Sequence, residues 1–281
     1  MNNRPNPEQW QSFFAKLEQT ILSLAKIILQ SRRVARPVKV DDNQKIVVLG
    51  NGPSLRKLIE EKRDFLDGKA LLAVNYAVLS DYFAELKPQY YLVADPAFFF
   101  TDEHCDKLFD ALAANTHWDM ELYLSTHARK ATKWKKKLAA NPYIHVCYFN
   151  MTPVEGFQWF THPAFQKGLG MPRPRNVLIP SIMTALRMGY QTIYVAGADH
   201  SWLKEIWIDD NNRVIEDLQH FYDKKGSERY VSDKRLHDLL YSMYIAFKSY
   251  HIINDYAESV DKKIYNVTPG SYIDAFERIK I

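Results

Sequence analysis

The segment Gly50-Asn51-Gly52-Pro53-Ser54 places two glycines, a carboxamide and a hydroxyl directly after the apolar run Ile46-Val47-Val48-Leu49. Glycines let a phosphate or a sugar approach the main chain, and a helix starting at Ser54 offers free N–H groups and the positive end of its dipole. That chemistry suits an anionic ligand. The loop lacks the Gly-Lys-Ser/Thr ending of a P-loop, and Leu55 stands where a dinucleotide motif has its third glycine. A nucleotide, rather than a dinucleotide, is therefore expected. Similar chemistry recurs at Asn75, at Asp95-Pro96, at Gly197-Ala198-Asp199-His200 and at Thr268-Pro269, each time just after an apolar run. Any one of these is ordinary turn composition. Together they describe a ligand site, because open α/β sheets bind ligands beyond the carboxyl ends of their strands.

The elements that must position these residues follow from the apolar pattern. Short β-branched runs predict strands at 46–49, 70–74, 90–94, 121–125, 144–149, 192–197 and 264–267. Helices are expected from Ser54 to about Phe65, from Pro180 to Met188 with Gly189 as the stop, and over about 233–250. Strands alternating with helices imply an α/β fold with a mostly parallel sheet flanked by helices. Residues 202–232 read as one long loop, of the kind that forms lids. Within it, Asp209-Asp210-Asn211-Asn212 lacks the twelve-position pattern of a calcium loop and reads as a solvated turn.

Before the first strand, Phe14, Leu17, Ile21, Leu24 and Ile28 recur every three or four residues, with Trp10 and Phe13 extending the stripe. The chain is thus divided into an N-terminal amphipathic helix and linker, 1–44, and a main domain, 45–281. The stripe is expected to pack on its own domain or on a second copy of the chain; the sharper alternative is a membrane surface. Arg32, Arg33, Arg36 and Lys39 follow it, and a second basic cluster, Arg129, Lys130, Lys133, Lys135, Lys136 and Lys137, surrounds Trp134. Residues 10–39 and 129–137 are the expected points of peripheral membrane contact, although a solvated helix face is the simpler reading of the second cluster.

The 281 residues carry 37 Lys+Arg against 33 Asp+Glu, so 37 − 33 = +4, too small an excess to indicate nucleic acid. An apolar content of 47% excludes a disordered chain. Cys105 and Cys147 make neither a disulfide framework nor a four-cysteine zinc site, and no metal ligand set is visible. With no secretory signal and no apolar stretch long enough to span a bilayer, a cytoplasmic location is expected, at the inner face of the cell membrane if the basic clusters meet lipid.

The segment Val47 to Leu55 closely resembles the opening motif of the bacterial sialyltransferases of glycosyltransferase family 42. It is also similar to the related flagellin glycosyltransferases called motility accessory factors and to the 6-hydroxymethylpterin pyrophosphokinase-like family. Pro180 to Asp199, PSIMTALRMGYQTIYVAGAD, resembles the helix, Gly-Tyr turn, strand and Gly-x-Asp of the same group. Lys263 to Phe276, KIYNVTPGSYIDAF, is similar to its closing strand and Pro-x-Ser turn. The resemblance runs from Lys45 to the C-terminus and does not separate the members of the group.

It implies a GT-A-like, Rossmann-type fold and a CMP-sugar donor used without metal or further cofactor. Gly50, Asn51, Gly52, Pro53 and Ser54 would line the donor phosphate and sugar. Asn75 and Asp95-Pro96 would meet the ribose or base, Asn176 the donor, and Gly197, Asp199 and His200 the other side of the nucleotide, with Thr268 and Ser271 closing the site. Where the sialyltransferases have tyrosines after the Gly-x-Asp turn, this chain has Ser201 and Trp202; where they have a serine after the asparagine, it has Val177.

Of nine histidines, His104, His117, His127, His145, His162 and His251 lack supporting context. The resemblance assigns the catalytic base to His220, in Asp217-Leu218-Gln219-His220-Phe221-Tyr222, with His237 the alternative. The implied reaction is inverting transfer of a CMP-activated acidic sugar, sialic acid or a related nonulosonate, to a glycan, glycolipid or protein acceptor in cell-surface glycan synthesis. A pterin pyrophosphokinase-like enzyme using ATP and Mg²⁺ held by Asp95 and Asp199, and a non-catalytic nucleotide-binding scaffold, stay open as alternatives.

Overall fold

The computed structural model describes residues 7–37, 44–218 and 228–281. Helix α1 (Pro7–Gln30) precedes strand β1 (Lys45–Leu49). There follow α2 (Ser54–Glu61), β2 (Ala70–Val74), α3 (Phe83–Leu86), β3 (Tyr90–Val93), α4 (Ala97–Phe100), α5 (Asp102–Asn115), β4 (Met120–Ser125), α6 (Lys133–Leu138) and β5 (Ile144–Phe149). The second half contains α7 (Gln158–Gln166), α8 (Leu178–Met188), β6 (Thr192–Ala196), β7 (Ile206–Ile208), β8 (Val214–Leu218), β9 (Glu228–Val231), α9 (Leu236–Ser259), β10 (Lys263–Asn266) and β11 (Glu277–Arg278).

Eight strands form one sheet in the order β11-β10-β6-β1-β2-β3-β4-β5, with every pairing parallel. The central strands β1, β2, β3, β4 and β6 are buried on both faces, which is why they read as near-continuous apolar runs, while the edge strands β5 and β11 are more exposed. In β1, Ile46 and Val48 join the core beneath α8 and α9, while Val47 and Leu49 join the core beneath α2, α5 and α6. From β1 the chain steps outward through β2, β3, β4 and β5, then returns to place β6 on the other side of β1. The order therefore reverses between β1 and β6, and such a switch point opens a crevice at the carboxyl ends of the two strands. The fold is a Rossmann-like α/β sheet flanked by helices, as expected.

Several elements differ from the sequence reading. The helix expected to reach Phe65 ends at Glu61, followed by a 3₁₀ turn over Arg63–Leu66. Helix α8 begins at Leu178, two residues early, where the N–H groups of Leu178 and Ile179 donate to Asn176 Oδ1. Helix α9 continues nine residues beyond Tyr250. The stretch read as a long loop folds in part into an antiparallel sheet, β7-β8-β9, with Trp207 opposite Ile215 and Ile215 opposite Val231. The Asp209–Asn212 run is its first hairpin turn: the Asp209 carboxylate accepts from the N–H groups of Asn211 and Arg213 and pairs with the Arg213 guanidinium.

Helix α5 had no counterpart in the sequence reading, and it explains two of the six cations of the second basic cluster. Lys133 on α6 pairs with Asp102 and Asp106, and Lys137 with Asp106 and Asp110. Trp134 is buried among them and donates its indole N–H to the Ala128 carbonyl.

Candidate functional site

At the switch point the loops after β1 and β6 lie against each other. The Gly50 N–H donates to the Ala196 carbonyl and the Gly52 N–H to the Gly197 carbonyl, both at 2.8 Å. A Cβ on Gly52 would lie 2.0 Å from an Asp199 carboxylate oxygen and 2.7 Å from the Gly197 carbonyl oxygen. Gly197 has φ +63°, and a Cβ there would sit 2.5 Å from the Gly50 carbonyl oxygen. These glycines are thus required by the close approach of two protein loops, not only by a ligand.

The N-terminus of α2 is also already engaged. Asp199 Oδ2 accepts from the Ser54 hydroxyl at 2.8 Å and from the Ser54 N–H at 3.4 Å. Pro53 occupies the cap position, so Ser54 is the first helical residue and a donor, not the acceptor cap that the sequence suggested. The anion at this dipole is the protein's own carboxylate. Burial pushes the Asp199 carboxyl above its ordinary range, and the two bonds from Ser54 offset part of that shift.

Three carboxamides singled out from the sequence each have one buried polar atom that lacks a partner among the described residues. Asn51 donates to the Val74 carbonyl at 3.3 Å, leaving its Oδ1 unpaired next to Asn75. Asn75, at φ +49°, likewise leaves its Oδ1 unpaired. Asn176 Oδ1 accepts from the N–H groups of Leu178 and Ile179, which starts α8, but its Nδ2 has no acceptor. A buried polar atom without a partner costs roughly 1–3 kcal/mol, so water or a ligand belongs beside each. The unpartnered atoms are two acceptors, on Asn51 and Asn75, and one donor, on Asn176.

His200 anchors the donor side. It is buried, at φ +51°, and burial lowers its pKa to about 3, so its ring is neutral at any working pH. Its Nε2 lies 2.7 Å from the Tyr250 hydroxyl, which in turn donates to Asn176 Oδ1 at 3.0 Å. With the single hydroxyl proton used on Asn176, the proton of this bond sits on His200 Nε2. The chain His200–Tyr250–Asn176 fixes which way the Asn176 amide faces. Trp202 lies over the His200 ring with centroids 4.2 Å apart.

The remaining sequence candidates take supporting positions. Thr268 Oγ1 accepts from the Ala198 N–H and donates to the Val195 carbonyl, and the Ser271 hydroxyl donates to the Ala198 carbonyl. Both are buried and hold the β6 loop from beneath. Asp95 is exposed and accepts from the Ala97 N–H at 2.8 Å, with Pro96 at the cap of α4. His237 is exposed on the first turn of α9, near Asp238. His220 lies outside the described residues. Among the described residues no group of three His, Cys, Asp or Glu side chains is arranged to hold a metal ion.

Two residues of this region had not been singled out. Tyr250 is central to the chain above; its signal was a tyrosine within the stripe Met243, Ala246, Tyr250, Ile253, Ala257, where a buried hydroxyl needs a partner. Glu216, 8% exposed, shares the inward side of β8 with Val214 and lines a cavity of about 180 Å³ with Asn176, Arg175, Trp202 and Ser242. Its signal was a carboxylate at a position where strand alternation calls for an apolar residue. A larger open depression, about 810 Å³, lies at the opposite end of the strands among Gln44, Lys45, Asp67 and Tyr190, and contains none of the candidates.

No protein-family model matches this chain, and neither does any curated protein. Among solved structures it superposes on the MAf glycosyltransferase from Magnetospirillum magneticum AMB-1 with a TM-score of 0.53 at 11% identity, over 93% of this chain and 38% of that one. The likeness is one of fold. The chain spans 38% of the length of that neighbour. A mammalian sialyltransferase aligns over 96% of this chain and 87% of its own with a TM-score of 0.38 at 11% identity.

Proposed function

We propose that the chain is a glycosyltransferase whose switch-point crevice holds a nucleotide-activated sugar. The reading carried from the sequence is a CMP-activated acidic sugar, transferred with inversion and without metal to a glycan, glycolipid or protein acceptor of the cell surface. The observation that supports it is the trio of unpaired carboxamide atoms on Asn51, Asn75 and Asn176, which complements a ligand rich in both hydroxyl donors and oxygen acceptors. Sugars, riboses and phosphates have that character. The α2 dipole supports no phosphate of its own, since Asp199 occupies it; Asp199 suits a hydroxyl donor, and the Asn176 amide suits a phosphate or carboxylate oxygen. An ATP·Mg²⁺ reading draws less support, because Asp95 turns to Ala97 and Asp199 to Ser54.

Transfer to an acceptor hydroxyl needs a proton acceptor. His220 is the assignment made by resemblance. Glu216 is a second candidate, because its carboxylate shares a cavity with Asn176. The test is thermal unfolding with CMP, CDP, UDP, GDP and ATP, each with and without Mg²⁺. Stabilisation by CMP without metal, worth about 2.7 kcal/mol at a hundredfold excess over Kd, is the expected result. A response confined to ATP·Mg²⁺ would overturn the reading, and no response to any nucleotide would favour a scaffold.

A further inference from the structure

We propose that α1 lies flat on an anionic bilayer surface, with its outward apolar face in the headgroup boundary and an adjoining basic cluster against the lipid phosphates. The proposal is independent of the nucleotide reading.

The helix docks on its own domain through a narrow polar face. Ser23 Oγ donates to the Glu155 carbonyl at 2.9 Å and accepts from the Glu155 N–H at 2.8 Å, while Thr20 Oγ1 accepts from the Phe157 N–H at 3.1 Å. Among the described side chains of α1, Ile27 packs against the core. The stripe expected to be buried, Phe14, Leu17, Ile21, Leu24 and Ile28, faces solvent instead; Ile21 is 60% exposed and Ile28 70%. Leu22 and Leu29 are exposed as well, and they sit about 100° around the helix from Ile21 and Ile28. The outward arc thus approaches half the circumference and, apart from the exposed Glu18 within it, is apolar and broader than the two-in-seven seam of a coiled-coil pair.

The patch also continues off the helix. The Phe13 ring lies 5.3 Å from Phe157, and Phe157 stacks on Trp159, centroids 6.1 Å apart, with Trp159 71% exposed. An apolar surface that widens beyond one helix fits a plane better than a partner helix, and tryptophan is favoured at the lipid–water boundary.

Charge complementarity selects the occupant. The Arg129 guanidinium donates to the Arg33 carbonyl at 3.0 Å, and Lys135 Nζ donates to the Arg129 carbonyl at 3.3 Å. These contacts bring Arg32, Arg33 and Arg36, just past the end of α1, together with Arg129, Lys130 and Lys135. Lys133 and Lys137 are neutralised by α5; among the described residues none of these six is in an ion pair. An anionic leaflet meets such a cluster favourably. A second copy laid parallel along the stripe would bring the cluster against itself.

The experiment floats the full chain with vesicles of phosphatidylcholine alone and of phosphatidylcholine with phosphatidylglycerol, at low and high salt, alongside sedimentation velocity without lipid. Wild type should float with the anionic vesicles at low salt, lose binding at high salt, and sediment as a monomer. The pair Ile21→Asp and Ile28→Asp should abolish flotation with unfolding unchanged, because both side chains are exposed; Leu22→Gln with Leu29→Gln provides a milder second test. Arg33→Gln and Lys130→Gln should each lower partitioning about fivefold. Wild type remaining soluble beside anionic vesicles at low salt would overturn the proposal. So would a lipid-free dimer that the Ile21→Asp and Ile28→Asp pair dissociates, since a second copy would then cover the face.

Discussion

Replacing Tyr250 by Phe removes one hydroxyl and the two hydrogen bonds it makes, to His200 and to Asn176. The ring is fully buried and keeps its edge-to-face contact with Phe276, centroids 5.6 Å apart, so packing is conserved and only the hydroxyl is lost. Asn176 Oδ1 retains two backbone N–H donors, so that end of the chain stays satisfied. His200 Nε2 loses its acceptor in a buried setting and is left as an unpaired donor. Leaving such a group unsatisfied costs about 1–3 kcal/mol. For 281 residues, an unfolding entropy of ~2.1 cal/mol/K per residue gives about 0.6 kcal/mol/K, so a 2 kcal/mol loss lowers Tm by ~3 °C.

The assay is urea unfolding of wild type, Tyr250→Phe, His200→Ala and the double variant. His200 sits at φ +51°, where Ala is strained, but that strain is present in both arms of the cycle and cancels. In the His200→Ala background the orphaned donor is gone, so Tyr250→Phe should cost under ~1 kcal/mol and the coupling should be about 1–2 kcal/mol. Because the His200 pKa is depressed to about 3, the coupling should not change between pH 7 and 9. Additive single effects, or a Tyr250→Phe cost below ~0.5 kcal/mol, would refute the buried chain as drawn.

Gly52→Ala should destabilise by about 1–3 kcal/mol through overpacking against Asp199 and Gly197 and should remove nucleotide stabilisation, both read by thermal unfolding. Asp199→Asn tests the burial shift: the raised carboxyl pKa contributes stability that is fully present below the unfolded value near ~3.9 and is lost as pH rises through the folded value. The variant lacks that dependence, so wild type should lose ground against Asp199→Asn as urea unfolding is repeated from pH 4 to 8; a gap moving the other way would contradict the burial argument. His220→Ala should abolish sugar transfer from CMP-activated donors while leaving CMP stabilisation intact. If it retains most activity and Glu216→Gln does not, the proton acceptor is Glu216.

Much of the sheet was legible because strands buried on both faces must be apolar at every position. The runs at Ile46–Leu49 and Thr192–Ala196 could be nothing else at that length. The turn residues after them marked the carboxyl edge for the same local reason, and Asn51, Asn75, Asn176, Asp199 and His200 do gather there. Helix α5 was less legible: Cys105, Leu108, Phe109 and Leu112 carry a helical stripe, but the flanking Asp102, Asp106 and Asp110 gave it a polar appearance. Those aspartates make sense only against Lys133 and Lys137 of α6. The hairpins of β7, β8 and β9 were hidden because their strands are only three to five residues long and Glu216, Asp217, Glu228 and Arg229 interrupt the apolar pattern of β8 and β9.

The sequence by itself determined periodicity, the strand and helix types, and the inventory of groups able to bind a ligand, since these depend on local sterics and residue chemistry. Tertiary structure alone decided their use. It turned the glycines toward a neighbouring loop, filled the α2 terminus with Asp199, and joined His200 to Asn176 through Tyr250, 50 and 74 residues away in sequence. It also faced the α1 stripe outward, because Thr20 and Ser23 found backbone partners across the domain at 155–157. An amphipathic pattern specifies that a face is apolar; which surface covers that face depends on contacts distant in the chain, and those exist only once the chain is folded.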